Sequence, residues 1–559
     1  MQTPERTPTL RPRVPGLVAW AVRVAAVFSV LDIVLPERHL RRTSMALDAL
    51  VDGTAFATGV MAAGTMLLLA GAVRRRARRA WVLLVVAVAG GALANLHTHH
   101  FRVVVVNLAL LGLLLWARKD FTARSVRRSR RVALRVLLVM SGVSVTAGLL
   151  LTLRTAPHNS LPRRLSEVCY GLLGFAPDLA FRRPAVGTFT QTALSTLGGL
   201  TALLTLVALL APVTKAARLT SGAERRLREL LALEGGRDSL GYFALRRDKT
   251  VIFSPSGKAA VTYRVVGSVS LASGDPIGDP EAWPGAIAAW LAEADRYAWV
   301  PGVIGASETA ALAYGRAGLD AFELGDEAIL DLETFQLEGR SMRVVRQAVN
   351  RVRRAGYRVT VCRQGDLTAE ELTQAVAVAE ALRGEEEERG FSMALGRLGD
   401  PADPEVVVAR AWDGDGALVA VLTFVPWGTD GLSLDLMRRS RGSENGTVEF
   451  LVASVAEQAA ALGVRRISLN FAVFRSVFER GSRIGAGPAL RMWRRVLLLG
   501  SRWWQIESLY RANAKYNPRW QPRFICFRRA SELPRVGIAA LEAEAFLQRP
   551  RLRWLTGSG

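Results

Sequence analysis

The sequence predicts a multi-span α-helical membrane domain followed by an α/β domain built as two halves of one design. Three observations predict it. Six apolar runs are confined to residues 1–213, arginine clusters separate several of them, and after residue 240 strands and helices appear twice in the same order.

A spanning helix needs about 20 mostly apolar residues. The six runs are Leu17–Leu35, Leu47–Val73, Trp81–Leu96, Val103–Trp116, Val132–Leu153 and Phe189–Val213. RRRARR (Arg74–Arg79) lies between the second and third, and ARKDFTARSVRRSRR (Ala117–Arg131) between the fourth and fifth. Cytoplasmic loops carry the excess of Lys and Arg, so these two loops, the N-terminus and everything after Val213 are expected in the cytoplasm. Arg23, Asp32, Asp48, Asp52 and Arg135 lie near span ends, where they can reach the interface. His97, His99 and His100 invite a metal reading, but no fourth ligand lies nearby, so no metal is expected.

A linker helix (Ala223–Leu233) within residues 214–239 leads to the second part. Thr250–Phe253, Ala259–Val266 and Ser268–Ala272 read as strands. A helix from Glu281, a strand Trp299–Ile304, a helix near Glu308–Gly315 and a strand Asp320–Leu324 follow. The second pass has strands Val406–Trp412, Ala417–Val425 and Leu432–Met437. Then come a helix Thr447–Leu462, a strand Arg466–Phe471, helical material to Ala514 and a strand Phe524–Arg528. Three strands, helix, strand, helix, strand is the order of the GNAT acyltransferase fold, so the prediction is a tandem GNAT-like (dual acyltransferase) domain. Its halves are residues 240–365 and 366–549, with a tail at 550–559. The turn that normally holds the acetyl-CoA pyrophosphate reads MRRSRGSENGT, where Glu444 would repel phosphate. SGDPIGDP, with Asp275 and Asp279, is no better, and Asp279-Pro280 reads as a helix cap. No bound cofactor is expected.

Charge is divided as sharply as hydropathy. Residues 1–220 hold 28 Lys/Arg against 8 Asp/Glu, whereas residues 221–559 hold 45 against 41. From Arg465 onward the count is 19 to 5, so a basic lobe adjoins an acidic one. Cys169, Cys362 and Cys526 are too far apart for a disulfide framework or a CxxC metal site, which suits a reducing compartment.

Two segments ask for a polyanion. In SMRVVRQAVNRVRRAGYR, Arg340, Arg343, Arg346, Arg351, Arg353 and Arg354 share one arc of a helix, while Val344, Val345, Ala348, Val349 and Val352 share the other. Like charges so dense repel unless partnered, and nucleic-acid phosphates are a natural partner. YRANAKYNPRWQPRF adds Arg511, Lys515, Arg519 and Arg523, with Tyr510, Tyr516 and Trp520 and no acid. A third segment, ALRMWRRVLLLGSRWW, sets Arg494 among arginines opposite Trp503 and Trp504. It reads as a helix on its own sheet or as one lying in a membrane surface.

SGDPIGDP, LDLETFQLEGRSMRVVRQAVNRVRRAG, GFSMALGR, GLSLDLMRRS, NGTVEF, SLNFAVFRSVFERG and SLYRANAKYNPRWQPRF together resemble the catalytic domain of aminoacyl-phosphatidylglycerol synthases of the MprF type. The resemblance covers roughly Leu240–Arg549 and weakly the membrane part. It implies transfer of an amino acid, lysine above all, from aminoacyl-tRNA to the glycerol hydroxyl of phosphatidylglycerol. The product is a cationic lipid that repels cationic peptides. By motif, the family's functional residues fall on Asp435, Arg438, Glu449 and Lys515. Asp435 would hold the donor's amino group or take the lipid hydroxyl's proton, and Arg438 beside it favours the first role. Arg438 could also steady the developing oxyanion, Lys515 would hold a phosphate, and Glu449 would be a base or orienter.

The resemblance makes Arg343, Arg346, Arg353, Arg354, Arg511, Arg519 and Arg523 the expected tRNA contacts, and Arg494, Trp503 and Trp504 the lipid-surface contacts. The sequence ends at Gly559 without a synthetase domain, so a separate aminoacyl-tRNA synthetase is the expected partner; lipid flipping is not expected. Glu385–Glu388 could attract a basic side chain or form a solvated loop. The rival functions are a FemABX-like transferase acting on a peptidoglycan precursor, an acyl-CoA N-acyltransferase, and a non-catalytic tRNA- or lipid-binding membrane protein.

Overall fold

The computed structural model describes residues 80–86, 88–89, 101–116, 118, 127–156, 158–175, 179, 181, 184–210, 218–384, 390–473 and 511–547. The chain forms two compact units, the first mainly Met1–Val213 and the second mainly Thr214–Pro550.

The described helices of the first unit are α1 (Phe101–Trp116), α2 (Arg127–Thr155), α3 (Leu161–Leu172) and α4 (Pro184–Leu210). Among the described residues two stretches are long and apolar enough to cross a membrane, Val132–Thr155 and Val186–Leu209. They correspond to the fifth and sixth runs. The fourth run forms α1, which at 16 residues rises about 24 Å, short of a ~30 Å hydrocarbon core. The first two runs, part of the third, and His97, His99 and His100 lie outside the described residues.

Small residues let α2, α3 and α4 approach closely, as helices do in lipid. A Cβ on Gly198 would stand 1.7 Å from the Leu172 carbonyl oxygen, so that crossing admits only glycine. A buried Ser144–Thr201 hydroxyl pair at 2.9 Å joins α2 to α4. Leu134, Leu138, Val139 and Leu150 remain exposed on α2.

The second unit opens with α5 (Ser221–Glu234), capped by the Thr220 side chain. A 12-stranded sheet follows. Its first strands are β1 (Thr250–Phe253), β2 (Ala259–Val266), β3 (Val269–Ser273), β4 (Ile277–Gly278), β5 (Val300–Ala306) and β6 (Asp320–Asp331). The rest are β7 (Arg358–Arg363), β8 (Val407–Trp412), β9 (Leu418–Trp427), β10 (Gly431–Arg439), β11 (Arg466–Val473) and β12 (Arg519–Phe527). The longer described helices are α6 (Trp283–Arg296), α7 (Glu308–Arg316), α8 (Arg343–Arg354), α9 (Ala369–Arg383), α10 (Thr447–Glu457) and α11 (Leu533–Ala543).

The expected repeat is present. In the first half β1, β2 and β3 run antiparallel, and α6 carries the chain to β5, parallel to β3. In the second, β8, β9 and β10 do the same, and α10 leads to β11, parallel to β10. The sheet is buried on both faces: along β9, Val421 and Val425 enter one core while Leu422 and Phe424 enter the other.

The halves interlock rather than stand side by side. The strand order is β1-β2-β3-β5-β12-β6-β11-β10-β9-β8-β7, with β4 paired to β2 off this path. Thus β12, expected to close the second half, lies between β5 and β6 of the first. β6 runs on past Leu324 to Asp331 because its far end pairs with both β11 and β12. β7, which precedes residue 365, pairs with β8 at the far edge.

A buried ionic network sits at this seam and corrects the expectation for Arg523. A bulge between Arg523 and Phe524 interrupts β12, and the Arg523 side chain is only 3% exposed. All five of its guanidinium N–H groups donate. Two go to Glu327 (2.8 and 2.6 Å), and one each to Asp238 (2.8 Å), Gly305 O (3.1 Å) and Ser239 Oγ (2.7 Å). The other oxygen of Glu327 accepts from Ser239 and from Ser468 of β11. Asp238 accepts from the Asp275 N–H (2.9 Å), and Asp275 accepts from the Ser307 N–H (2.8 Å) and hydroxyl (2.6 Å). An arginine so enclosed cannot also hold tRNA phosphate. Asp279 caps the turn after it through Glu281 N, as its Pro280 neighbour suggested.

Burial and the facing Asp238 carboxylate push Asp275 up to about 7. Its folded form keeps a proton that the unfolded chain gives up near the ordinary aspartate value of 3.8. This group's contribution to stability is therefore full below about pH 4 and lost as pH rises to about 7. For Asp275→Asn, which titrates no proton, the melting temperature relative to wild type is expected to rise as pH goes from about 5 to about 7. Arg523→Ala strands buried carboxylates and is expected to lower unfolding free energy by about 3–5 kcal/mol. Exposed Arg343→Ala should leave it within about 0.5 kcal/mol, and urea denaturation distinguishes the two.

Candidate active site

β10 and β11 pair in parallel for three residues, Gly431↔Arg466, Leu432↔Ile467 and Ser433↔Ser468, and then part. β10 continues beside β9 and β11 beside β6. Just past the split each strand is irregular. On β10 Asp435 is the extra residue of a bulge between Leu434 and Leu436. On β11 the register with β6 shifts between Ser468 and Phe471, and Asn470 takes φ +66°. Such bulges re-aim a side chain out of the strand's alternation.

Asp435 is held by donors from two other elements. One oxygen accepts the Leu395 N–H at 2.6 Å; the other accepts the Thr423 hydroxyl at 3.0 Å. The Thr423 oxygen also accepts the Leu436 N–H (3.2 Å), so one β9 hydroxyl spans the bulge. Leu395 belongs to the GFSMALGR segment, which is stapled on several sides. Glu544 accepts the N–H groups of Phe391 (2.6 Å) and Ser392 (3.0 Å) and the Ser392 hydroxyl (2.5 Å). Arg246 donates to Ala394 O (2.6 Å) and Arg397 to Leu245 O (3.0 Å). Burial would lower the Arg246 pKa, but its paired Asp248 outweighs burial and, with the nearby Glu544 and Asp435 carboxylates, raises it. Burial pushes the Lys249 ammonium, 4.5 Å from the Phe391 ring, down to about 7. Thr423, Arg246 and Glu544 escaped sequence reasoning, since a strand Thr and scattered charges carry no spacing signal. Leu395 was signalled only as part of the GFSMALGR motif.

Glu449 and Lys515 come together as an ion pair, each about one-fifth exposed. Glu449 stands in the first turn of α10, where the helix dipole favours an acid. That helix starts from Gly446 at φ +110°, and a Cβ there would lie 2.9–3.2 Å from Ala348 atoms of α8. Lys515 precedes Tyr516, whose ring lies 5.4 Å from the ammonium and whose buried hydroxyl has no hydrogen-bond partner among the described residues. Burial, with the Glu449 charge, pushes that hydroxyl well above the usual tyrosine range. Lys515 and Glu449 pair with each other and not with Asp435. Arg438 is half-buried on β10 three residues beyond Asp435. In the turn before α10, the Glu444 N–H donates to the Tyr357 hydroxyl at 2.9 Å.

The basic helix α8 buries Val345, Val349 and Val352, whereas Val344, expected on the apolar arc, is 63% exposed. Arg343, Arg353 and Arg354 are exposed, as are Arg511 and Arg519. Arg346 turns inward enough to donate to Leu337 O (2.6 Å) and Gly339 O (3.1 Å), so it stabilises the loop before its own helix. Arg353 makes a two-pronged pair with Glu457 (2.8 and 2.9 Å). Arg494, Trp503, Trp504 and Glu385–Glu388 lie outside the described residues.

Thr423→Val keeps volume but deprives Asp435 of a charge-assisted bond. The expected loss is about 1.5–3 kcal/mol in urea denaturation, largely restored by Thr423→Ser. An unchanged Thr423→Val would contradict the geometry.

Residues 228–527 match the family model described as phosphatidylglycerol lysyltransferase, C-terminal. Residues 11–214 match that of the transmembrane region of lysyl-tRNA synthetase. The lysylphosphatidylglycerol biosynthesis bifunctional protein LysX of Mycobacterium avium is 44% identical over 561 residues, covering 96% of this chain and 47% of the relative. LysX of Rhodococcus jostii is 47% identical over 495 residues, covering 87% and 44%. The chain thus spans about half the length of the curated relatives it matches. The solved structure of L-PGS from Bacillus licheniformis shares the fold, with a TM-score of 0.52 at 23% identity over 60% of this chain and all of that one. With a family model matched over more than half its length, the chain belongs to the phosphatidylglycerol lysyltransferase family.

Proposed function

We propose that this protein transfers an amino acid, with lysine the first candidate, from aminoacyl-tRNA to the glycerol hydroxyl of phosphatidylglycerol. In this reading the first 213 residues cross the membrane several times and the catalytic unit faces the cytoplasm. The observation that carries it is Asp435, fixed by donors from two elements at the split of a parallel strand pair in a chain of this family. The names of its relatives supply lysine and phosphatidylglycerol.

The reaction exchanges one ester for another. The lipid hydroxyl oxygen bonds to the aminoacyl carbonyl carbon, and that carbon's bond to the tRNA ribose oxygen breaks. A proton passes from the lipid hydroxyl to the released ribose oxygen. The donor ester is already activated, so the balance needs no ATP. Asp435 holds the donor's amino group, while Arg438 steadies the oxyanion of the tetrahedral intermediate. Lys515 binds a phosphate, which must compete with Glu449; the freed Glu449 then orients the hydroxyl or takes its proton. Arg343, Arg353, Arg354, Arg511 and Arg519 contact tRNA phosphates, which makes donor binding steeply salt-dependent.

The test is to incubate membranes bearing the protein with phosphatidylglycerol and tRNA charged with labelled lysine, alanine, ornithine or arginine. RNase-sensitive label in the lipid phase is expected, and Asp435→Ala should reduce it at least ~100-fold in a protein that still melts cooperatively. Full activity in that variant would overturn the role of Asp435. Label in a peptidoglycan precursor instead of lipid would favour the FemABX-like reading.

A further inference from the structure

Asn470 was not singled out by its sequence, yet the split is built around it. Its backbone is left-handed, at φ +66°, a region that Asn tolerates better than other side-chain-bearing residues. Its N–H donates to Ser468 Oγ (3.2 Å), which itself donates to the seam carboxylate of Glu327. Its side-chain N–H donates to Leu434 O at 2.7 Å, on the residue just before the bulged Asp435. That bond fixes which way round the amide sits, since the reverse would set two oxygens against each other. The amide oxygen left over is shielded from solvent and has no hydrogen-bond partner among the described residues.

We infer that Asn470 is a substrate-binding residue whose side-chain oxygen accepts from the primary ammonium of the aminoacyl donor, beside Asp435. The inference rests on the proposed transfer reaction and names the group that completes its donor site. A carboxylate and an amide oxygen are both acceptors, and they flank the same short stretch of β10. The complement of two acceptors is a group with several N–H donors and positive charge, which an ammonium is and a lipid hydroxyl is not. An acceptor that no described protein group satisfies is one that a charged donor can satisfy. The ammonium is either the α-amino group common to every donor or the side-chain amine of lysine.

The test uses the full chain in phosphatidylglycerol nanodiscs, with lysyl-tRNA and alanyl-tRNA as donors. Asn470→Gly suits it because glycine accepts the left-handed backbone without strain; only the side-chain bond to Leu434 O is lost with the acceptor, and the variant is expected to melt cooperatively. The KM for donor should rise about tenfold or more, with kcat and the KM for phosphatidylglycerol less affected. A rise shared by both donors assigns the α-ammonium, and one confined to lysyl-tRNA assigns the side chain. Filter binding gives a readout independent of turnover: wild type should prefer lysyl-tRNA over uncharged tRNA, and Asn470→Gly should lose that preference. Asn470→Asp, which keeps an acceptor but loses the N–H donated to Leu434 O, should keep the preference for charged tRNA while its melting temperature falls. Unchanged KM and unchanged preference in Asn470→Gly would overturn the assignment and leave Asn470 as a backbone device only. No transfer by wild type with any donor would instead overturn the reaction itself.

Discussion

The second unit depends on one buried guanidinium. Arg523 spends every N–H on the seam where β12 enters the first half, and its partners come from the linker, β5 and β6. Burying an arginine is unfavourable unless its partners are complete, and here they are. Completeness demands that β12 lie between β5 and β6, so the last strand of the chain must be in place before the centre of the sheet is satisfied. Three carboxylates (Asp238, Asp275 and Glu327) face this one arginine, and Asp275 relieves the excess charge by holding a proton up to about 7.

From the seam the order passes to the site. Glu327 accepts the Ser468 hydroxyl, Ser468 accepts the Asn470 N–H, and the Asn470 side-chain N–H donates to the Leu434 carbonyl. The next residue is Asp435. A chain of hydrogen bonds thus runs from the ionic core to the strand split beside the Asp435 carboxylate. The GFSMALGR segment approaches from the other side and is held by Glu544 and Arg246.

Much of this was legible in the sequence, and the reasons divide cleanly. The tandem order of strands and helices could be read because hydrophobic period and turn residues are local signals. The two described helices long and apolar enough to cross a membrane were found within a few residues for the same reason. Asp435, Glu449 and Lys515 came from motifs, and the structure brings the last two into contact. The exchange of β12 into the first half was not legible, since strand pairing across some 200 residues leaves no local mark. Arg523 was misread on that account: within its segment it looks like Arg511 and Arg519, and only the bulge and the pairing partners turn it inward. Asn470 lay inside a quoted motif, but its role depends on a backbone angle that composition does not reveal.

The central claim is that the aminoacyl group is handled at the split of β10 and β11. Its most direct test is to charge tRNA with a diazirine-bearing lysine, irradiate it with the full chain in phosphatidylglycerol nanodiscs, and map the labelled peptides by mass spectrometry. Label on the peptides holding Leu434–Arg438 and Ser468–Asn470, lost with uncharged competitor tRNA in excess, is the expected result. Label gathered on the first half of the sheet, β2 through β5, with none at the split, would contradict the account.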